Sequence, residues 1–261
     1  MRSRLLIVPA AGLGTRLGAD RPKLLVPVAG IPMIDRLLAL FAGVVSRAVV
    51  VAHPLFEQEV RQHLAEPPRG RIGGEALPVT TVVQPMPTGM LDAIMLAEPT
   101  VRAVDPDEVW ITWCDQVAIH PATIRRLTEV ISGRPDAALV MPTVSRRSPY
   151  IHLHRDDTGR IVEILHRREG DAMPEAGESD MGLFALPRSS FAQLLPRYAR
   201  EVAVGTTTGE RNFLPFIAWA SQRYEVVTFP AVDEMEALGV NTPEDLRTVE
   251  VYLAAREAAP S

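Results

Sequence analysis

Residues 5–25 read Leu-Leu-Ile-Val-Pro-Ala-Ala-Gly-Leu-Gly-Thr-Arg-Leu-Gly-Ala-Asp-Arg-Pro-Lys-Leu-Leu. The apolar run at 5–8 has the length and composition of a buried strand. It empties into a loop carrying Gly12, Gly14 and Gly18 together with two cations, Arg16 and Lys23. Glycines let a backbone turn with positive φ and bring several N–H groups toward phosphate oxygens, and the cations supply charge that neutral amides lack. The stretch reads as a polyphosphate seat formed by Ala10, Ala11, Gly12, Gly14, Thr15, Arg16 and Lys23. Two familiar phosphate motifs are weakened by the spacing. No Gly-Lys-Ser/Thr follows Gly12 or Gly14, and in the GxGxxG register Leu17 stands where the third glycine belongs, with Gly18 one place late.

The 27 basic residues divide into 26 arginines and a single lysine, Lys23. Arginine is a broad planar fork, whereas lysine is a compact point charge on a thin stem. The exception at Lys23 is therefore read as a phosphate contact in a space too tight for a guanidinium.

Composition bounds the rest. A chain of 261 residues suits one large α/β domain with a sizeable core. A net charge of −5 without an extended basic stripe argues against a nucleic-acid partner. The one cysteine, Cys114, excludes an internal disulfide and fits a reducing compartment. The first residues begin like a signal peptide, but Pro9 breaks the apolar run, and no run reaches bilayer length. The expectation is a cytoplasmic protein with no membrane partner.

Strand-like runs at 5–8, 47–52, 79–83, 109–114 and 137–141 alternate with helical periodicity at 31–45, 55–64, 90–97 and 121–131, with a Pro/Gly-rich loop at 67–77. That rhythm predicts an α/β fold: a doubly wound, Rossmann-like, mixed and mostly parallel sheet. After residue 143 it changes to a hairpin (150–155 and 160–165), a strand at 181–186, a mobile loop at 205–209, a helix at 213–221, a strand at 225–229 and a closing helix at 243–255. A nucleotide-binding half at 1–142 is expected, with an acceptor-binding, metal-completing half at 143–261 that forms a small β-rich lobe.

The segments Pro9-Ala-Ala-Gly-Leu-Gly-Thr-Arg-Leu and Pro22-Lys-Leu-Leu-Val-Pro-Val-Ala-Gly-Ile-Pro-Met resemble the signature of the sugar-1-phosphate nucleotidyltransferases, especially the uridylyltransferases acting on N-acetylglucosamine-1-phosphate. The resemblance runs to about residue 250 and implies only the transferase half of the bifunctional relatives, without their acetyltransferase repeats. It implies a nucleoside triphosphate and a phosphorylated small-molecule acceptor as partners, and no particular oligomeric state.

Such a reaction is an in-line displacement at the α-phosphorus, with negative charge growing on departing pyrophosphate. It needs cations and fixed donors more than a strong base. Arg16 and Lys23 are the expected catalytic groups. Magnesium is the expected cofactor, since it prefers oxygen ligands and keeps several waters. Asp115 follows a buried strand at the carboxyl edge of the sheet, where open α/β folds bind ligands. Asn241 lies in Gly-Val-Asn-Thr-Pro-Glu-Asp-Leu, where Thr242 is a good N-cap and Pro243 a good first helical residue. The family's metal-holding aspartate and asparagine match these two positions, with Cys114 replacing the usual glycine before the aspartate. Its base-reading residues match Gln84 and Gly89, and an amide can pair with uracil through one donor and one acceptor.

The acceptor half departs from the family. Relatives carry a glutamate and a lysine where this chain has Leu165-His166-Arg167-Arg168, and an asparagine where it has Asp180. His166, Arg168 and Asp180 are the candidate acceptor contacts. With Arg146, Arg147 and Arg167 they suggest an acceptor bearing an extra anionic group, or an unusual sugar or cyclitol phosphate. Two rival readings stay open: a guanylyltransferase of the molybdopterin type, which shares the glycine loop and the Asn-Thr-Pro-Glu-Asp-Leu run, and a nucleotide-binding regulator without catalysis.

Overall fold

The computed structural model describes residues 2–12, 14–18, 21–65, 77–205 and 207–258; most of the loop expected at 67–77 lies outside them. In chain order the elements are β1 (Arg4–Ala10), β2 (Pro27–Val28), β3 (Ile31–Pro32), α1 (Met33–Phe41), β4 (Arg47–Ala52), α2 (Glu57–Ala65), β5 (Val79–Val83), α3 (Met90–Met95), α4 (Glu98–Val104), β6 (Glu108–Thr112) and α5 (Pro121–Gly133). There follow β7 (Leu139–Arg147), β8 (Ile151–Arg155), β9 (Ile161–His166), β10 (Ala176–Asp180), β11 (Leu183–Pro187), α6 (Leu195–Glu201), α7 (Pro215–Ser221), β12 (Val226–Pro230) and α8 (Pro243–Ala258).

Eight strands form one sheet in the order β10-β7-β11-β6-β1-β4-β5, with β12 on β7. β1 lies parallel between β4 and β6, and β5 adds parallel to β4. β11 runs antiparallel to both β6 and β7, whereas β12 runs parallel to β7. The sheet is thus mixed and mostly parallel, as the strand and helix rhythm implies.

Side chains of β1 alternate between two cores. Leu5 and Ile7 join Val109, Ile111, Phe184, Phe213 and Phe216 on one face. Leu6 and Val8 join Ile34, Leu37, Phe41, Ile124 and Leu127 on the other. A strand apolar at every position is what burial on both faces demands, and this is why 5–8 carries no polar alternation.

Several boundaries move. Residues 31–32 pair with 27–28 as a two-stranded ribbon, so α1 begins only at Met33, and it ends at Phe41 before Gly43 at φ +81°. β6 stops at Thr112, which leaves Cys114 and Asp115 in a turn beyond the strand. The hairpin forms as β8 and β9, closed by Asp156, whose Oδ1 accepts from the Thr158 and Arg160 amides. The helical stretch from Ser190 through α6 and the strand β10 have no counterpart in the expected elements.

A third, smaller core positions the site. Val26, Val28 and Met33 from the segment after Lys23 pack with Val117 and Ala118 after Asp115, and with Val240, Val249 and Leu253 around Asn241. Glu236 reinforces it. Its fully buried carboxylate accepts from the His120 amide (2.7 Å), the Thr123 hydroxyl (2.9 Å) and the Asp233 amide (2.9 Å). Glu236→Ala strands the buried Thr123 hydroxyl and two partly buried amides, so urea unfolding should show a loss of about 2 kcal/mol or more, and Glu236→Gln a smaller one.

Among the described residues no helix is long and apolar enough to cross a membrane.

Candidate active site

β1 delivers the buried Ala10 and half-buried Ala11 to the carboxyl edge of the sheet, and Thr15–Leu17 form a 3-10 turn there. Two of the three glycines adopt the positive φ that phosphate loops use, Gly14 at +64° and Gly18 at +63°. Gly12 does not, and a Cβ there would meet nothing within 4 Å. Its value to the site is therefore open space beside the backbone rather than a turn. At Gly14 the requirement is double, since an added Cβ would stand 2.7 Å from Cβ of Lys23. The missing side chain lets Lys23 lie directly on the loop.

Lys23 opens a 3-10 turn, Lys23–Leu25, whose Leu24 and Leu25 are buried. The ammonium donates to Asp115 Oδ2 at 2.5 Å and to Asn241 Oδ1 at 2.9 Å. Arg16 donates to the same Asn241 oxygen at 3.1 Å. Four residues separated by as many as 225 positions thereby meet at one point. Asp115 is anchored through its carbonyl, which accepts from the Val240 amide at 3.2 Å. Asn241 is anchored by Asp245, whose Oδ2 accepts from the amides of Asn241 (3.0 Å) and Thr242 (2.8 Å), while Asp245 N–H donates to Thr242 Oγ1 (3.1 Å). That reciprocal capping starts α8 and makes Thr242 the N-cap expected from the sequence. Gly239 packs so closely that a Cβ would lie 3.0 Å from Asp115 Oδ2. Burial, aided by the adjacent Asp115 charge, pushes the Cys114 thiol up to about 12.

Gln84 is buried and donates through Nε2 to the carbonyl of Gly89 at 3.0 Å. One donor expected to face a base instead closes the loop, so Gln84 and Gly89 form a single unit. Gly89 sits at φ +119°, and its Cα faces the backbone of Arg211. Arg211 N–H donates to the Thr88 carbonyl at 2.9 Å, and the Arg211 carbonyl accepts from Leu91 N–H at 3.0 Å. The same segment reaches the far lobe through Glu169, whose carboxylate accepts from the Thr207 amide (3.1 Å) and the Thr208 hydroxyl (2.7 Å). Sequence reasoning missed Arg211 and Glu169, because their parts rest on backbone zipping and on a loop clasp that no local motif announces.

The acceptor candidates separate. His166, at the end of β9, is half-buried, which lowers its pKa, and its Nδ1 lies 3.5 Å from Asn212 Nδ2. Arg168 is neighbouring and pairs with Glu210 at 3.4 Å. Arg167 donates through one nitrogen to Ser148 Oγ (2.9 Å) and to the Pro149 carbonyl (3.1 Å). Asp180 ends β10, and no hydrogen bond among the described residues joins it to His166 or Arg168. It accepts from the amide of Gly182 at 2.9 Å, and Gly182 itself packs against the Trp113 ring. Burial raises the Asp180 pKa to about 6, with the Gly182 hydrogen bond and Arg146 opposing the shift.

Because the folded pKa lies above the ordinary carboxylate value, Asp180 favours the native state most below about pH 4, and that contribution is lost as pH rises through about 6. Asp180→Asn should therefore raise Tm at pH 7.5, by on the order of 5 °C, and change it little at pH 4. Thermal melts at the two pH values check the difference.

A family model for the MobA-like NTP transferase domain matches residues 6–180, the span from β1 through Asp180. The chain belongs to the MobA-like NTP transferase family. Curated relatives include the bifunctional protein GlmU of Stutzerimonas stutzeri, 29% identical over 255 residues covering 97% of this chain and 52% of the relative. GlmU of Pseudomonas putida strain GB-1 is 30% identical over 256 residues, covering 97% and 52%, and GlmU of Sorangium cellulosum is 28% identical over 257 residues. The chain spans about half the length of the curated relatives it matches. As a MobA-like NTP transferase domain it is of the nucleotidyltransferase class, and the cluster of Arg16, Lys23, Asp115 and Asn241 lies at its sheet edge.

Proposed function

We propose that the chain transfers a nucleoside monophosphate from a nucleoside triphosphate to a sugar phosphate or sugar-like phosphate and releases pyrophosphate. The observation that carries this reading is the meeting of Lys23 and Arg16 with Asp115 and Asn241 at the mouth of the glycine loop. Two cations beside two hard oxygen ligands suit a triphosphate together with a divalent ion.

Magnesium fits this donor set, which consists of one carboxylate and one amide oxygen already directed at a cation, the Lys23 ammonium. Among the described residues no group of three or more His, Cys, Asp or Glu could hold a metal by itself, which suits an ion that brings water and phosphate ligands of its own. Asp115 and Asn241 would hold it, and when bound it supplies neutralising charge on the phosphates. Arg16 and Lys23 bind and orient the triphosphate. An oxygen of the acceptor phosphate attacks the α-phosphorus as the bond to the bridging oxygen of pyrophosphate breaks, and the two cations offset the charge gathering on the leaving group.

For the base we favour uracil or another pyrimidine, on the fixed Gln84–Gly89 unit and the resemblance to uridylyltransferases. For the acceptor, Asp180, His166 and Arg168 are the candidate contacts. Both assignments are tested by one experiment, a pyrophosphate-release assay crossing the four common ribonucleoside triphosphates with phosphorylated sugars and cyclitols. UTP should give the highest kcat/KM. Preference for GTP would turn the reading to the guanylyl class that the MobA-like match also accommodates, and background release on every pair would overturn the transfer itself.

A further inference from the structure

We infer that Lys23 is the resident counter-ion of the Asp115–Asn241 oxygen pair, and that a divalent cation enters this site only with a triphosphate, which draws Lys23 off those oxygens. The inference rests on the nucleotidyl-transfer reading above and adds an order to it.

The ammonium already occupies the position between the oxygens that would grip the metal, 2.5 Å from Asp115 Oδ2 and 2.9 Å from Asn241 Oδ1. A divalent ion on the same two oxygens would stand within a few ångströms of a full positive charge, in a place where water screens poorly. The side chains of Lys23 and Asp115 are only 13% and 12% exposed. Lys23 cannot relieve the conflict by a small shift. Its Cβ lies on Gly14, Gly239 backs the Asp115 carboxylate, and Arg16 holds the remaining side of Asn241 Oδ1. The metal and the ammonium are therefore alternatives at these oxygens.

A triphosphate removes the conflict in one step. Its oxygens give Lys23 and Arg16 an anion to move to, and they also add to the two oxygens that Asp115 and Asn241 would offer an ion here. No covalent bond changes: the hydrogen bonds from Lys23 to Asp115 and Asn241 are exchanged for hydrogen bonds to phosphate. The order that follows is metal with nucleotide, never metal alone. It also explains why the position carries lysine in a chain with 26 arginines. A thin point charge can sit between two oxygens as an ion does, and a planar fork cannot.

The consequence runs against ordinary expectation, since removing a residue essential to turnover should improve metal binding in the nucleotide-free protein. Mn2+ is titrated into the full chain without nucleotide, with the free ion followed by electron paramagnetic resonance, for the wild type, Lys23→Gln, Lys23→Met and Lys23→Gln/Asp115→Asn. Thermal melts report folding, and Lys23→Gln keeps a donor on the buried carboxylate should Lys23→Met unfold.

The single variants should bind Mn2+ at least about tenfold more tightly than wild type. The gain should vanish in the double variant, and a non-hydrolysable triphosphate should raise wild-type affinity by a similar factor. Nucleotide-free wild type binding Mn2+ as tightly as the folded variants would overturn the inference, as would variants that gain nothing. Pyrophosphate release by wild type without that gain leaves the transfer standing and removes the exchange, whereas the gain without turnover on any substrate pair does the reverse.

Discussion

Lys23→Arg should turn over about 10² to 10³ times more slowly than wild type although no charge is lost. The ammonium fits between Asp115 Oδ2 at 2.5 Å and Asn241 Oδ1 at 2.9 Å because it is one atom wide and can donate in both directions. A guanidinium spreads its charge over a plane and presents its donors in a fixed fork. The base of the stem is pressed on Gly14, so the wider fork must be accommodated beyond it. The misplaced charge no longer meets the leaving pyrophosphate, where electrostatic stabilisation is worth most. Steady-state kinetics should show the loss in kcat more than in KM for the triphosphate, with Tm changed by only a few degrees, since the ion pair to Asp115 can be kept. Wild-type turnover in this variant would mean that charge without shape suffices at Lys23, and the proposed seat would fail.

Gly89→Ala should be the most damaging change outside that cluster. An alanine Cβ would stand 2.5 Å from the Arg211 nitrogen and closer still to its carbonyl oxygen, and both are main-chain atoms that no rotamer change can move aside. The φ of +119° adds strain for any residue with a side chain. Relief requires separating the Thr88–Leu91 turn from Arg211, which breaks the hydrogen bonds Arg211 N–H to Thr88 and Leu91 N–H to Arg211. Strain and overpacking of this kind cost about 2–5 kcal/mol together, a Tm loss on the order of 10 °C in a chain of this size. Gln84 donates to the carbonyl of the same glycine, so KM for the triphosphate should rise even in protein that remains folded. Differential scanning calorimetry and nucleotide-dependence of turnover measure the two effects. A variant with wild-type stability and KM would show that the two loops do not need their close approach.

Local pattern carried the nucleotide half a long way. The runs that become β1, β4 and β6 are mostly apolar because each lies inside the sheet and is buried, while β5 at the sheet edge is half-buried and mixes Val with Thr, and their parallel pairing followed from the helices between them. Asp115 and Asn241 were legible because each adjoins a recognisable punctuation, Asp115 after a strand end and Asn241 just before a Thr-Pro-Glu-Asp cap. The lobe beyond residue 143 was harder to read. β10 carries Gly, Glu, Ser and Asp, and holds its place by pairing with β7 from Arg147 to Thr143 and by the Arg155 ion pair that ties Glu178 to β8. The turn from Ser190 into α6 shows no capping hydrogen bond, so no local signal marks its start. The partners of Arg167 and Arg168 were not legible for a similar reason. Partners such as Ser148 and Glu210 are set by loop geometry, and a count of charges along the chain does not contain them.

The amino-acid sequence by itself determined the layered α/β sheet, the glycine loop with its lone lysine, and the placing of Asp115 after a strand and Asn241 before a helix, since periodicity, φ-permissive residues and caps all act within a few neighbouring positions. Only the tertiary structure decided that Lys23 lies between Asp115 and Asn241, that Gly89 is wedged on Arg211, and that the Asp180 carboxylate closes on the Gly182 amide. Those arrangements depend on contacts between residues as many as 218 positions apart, whose geometry is set by packing of the whole sheet and of the small third core.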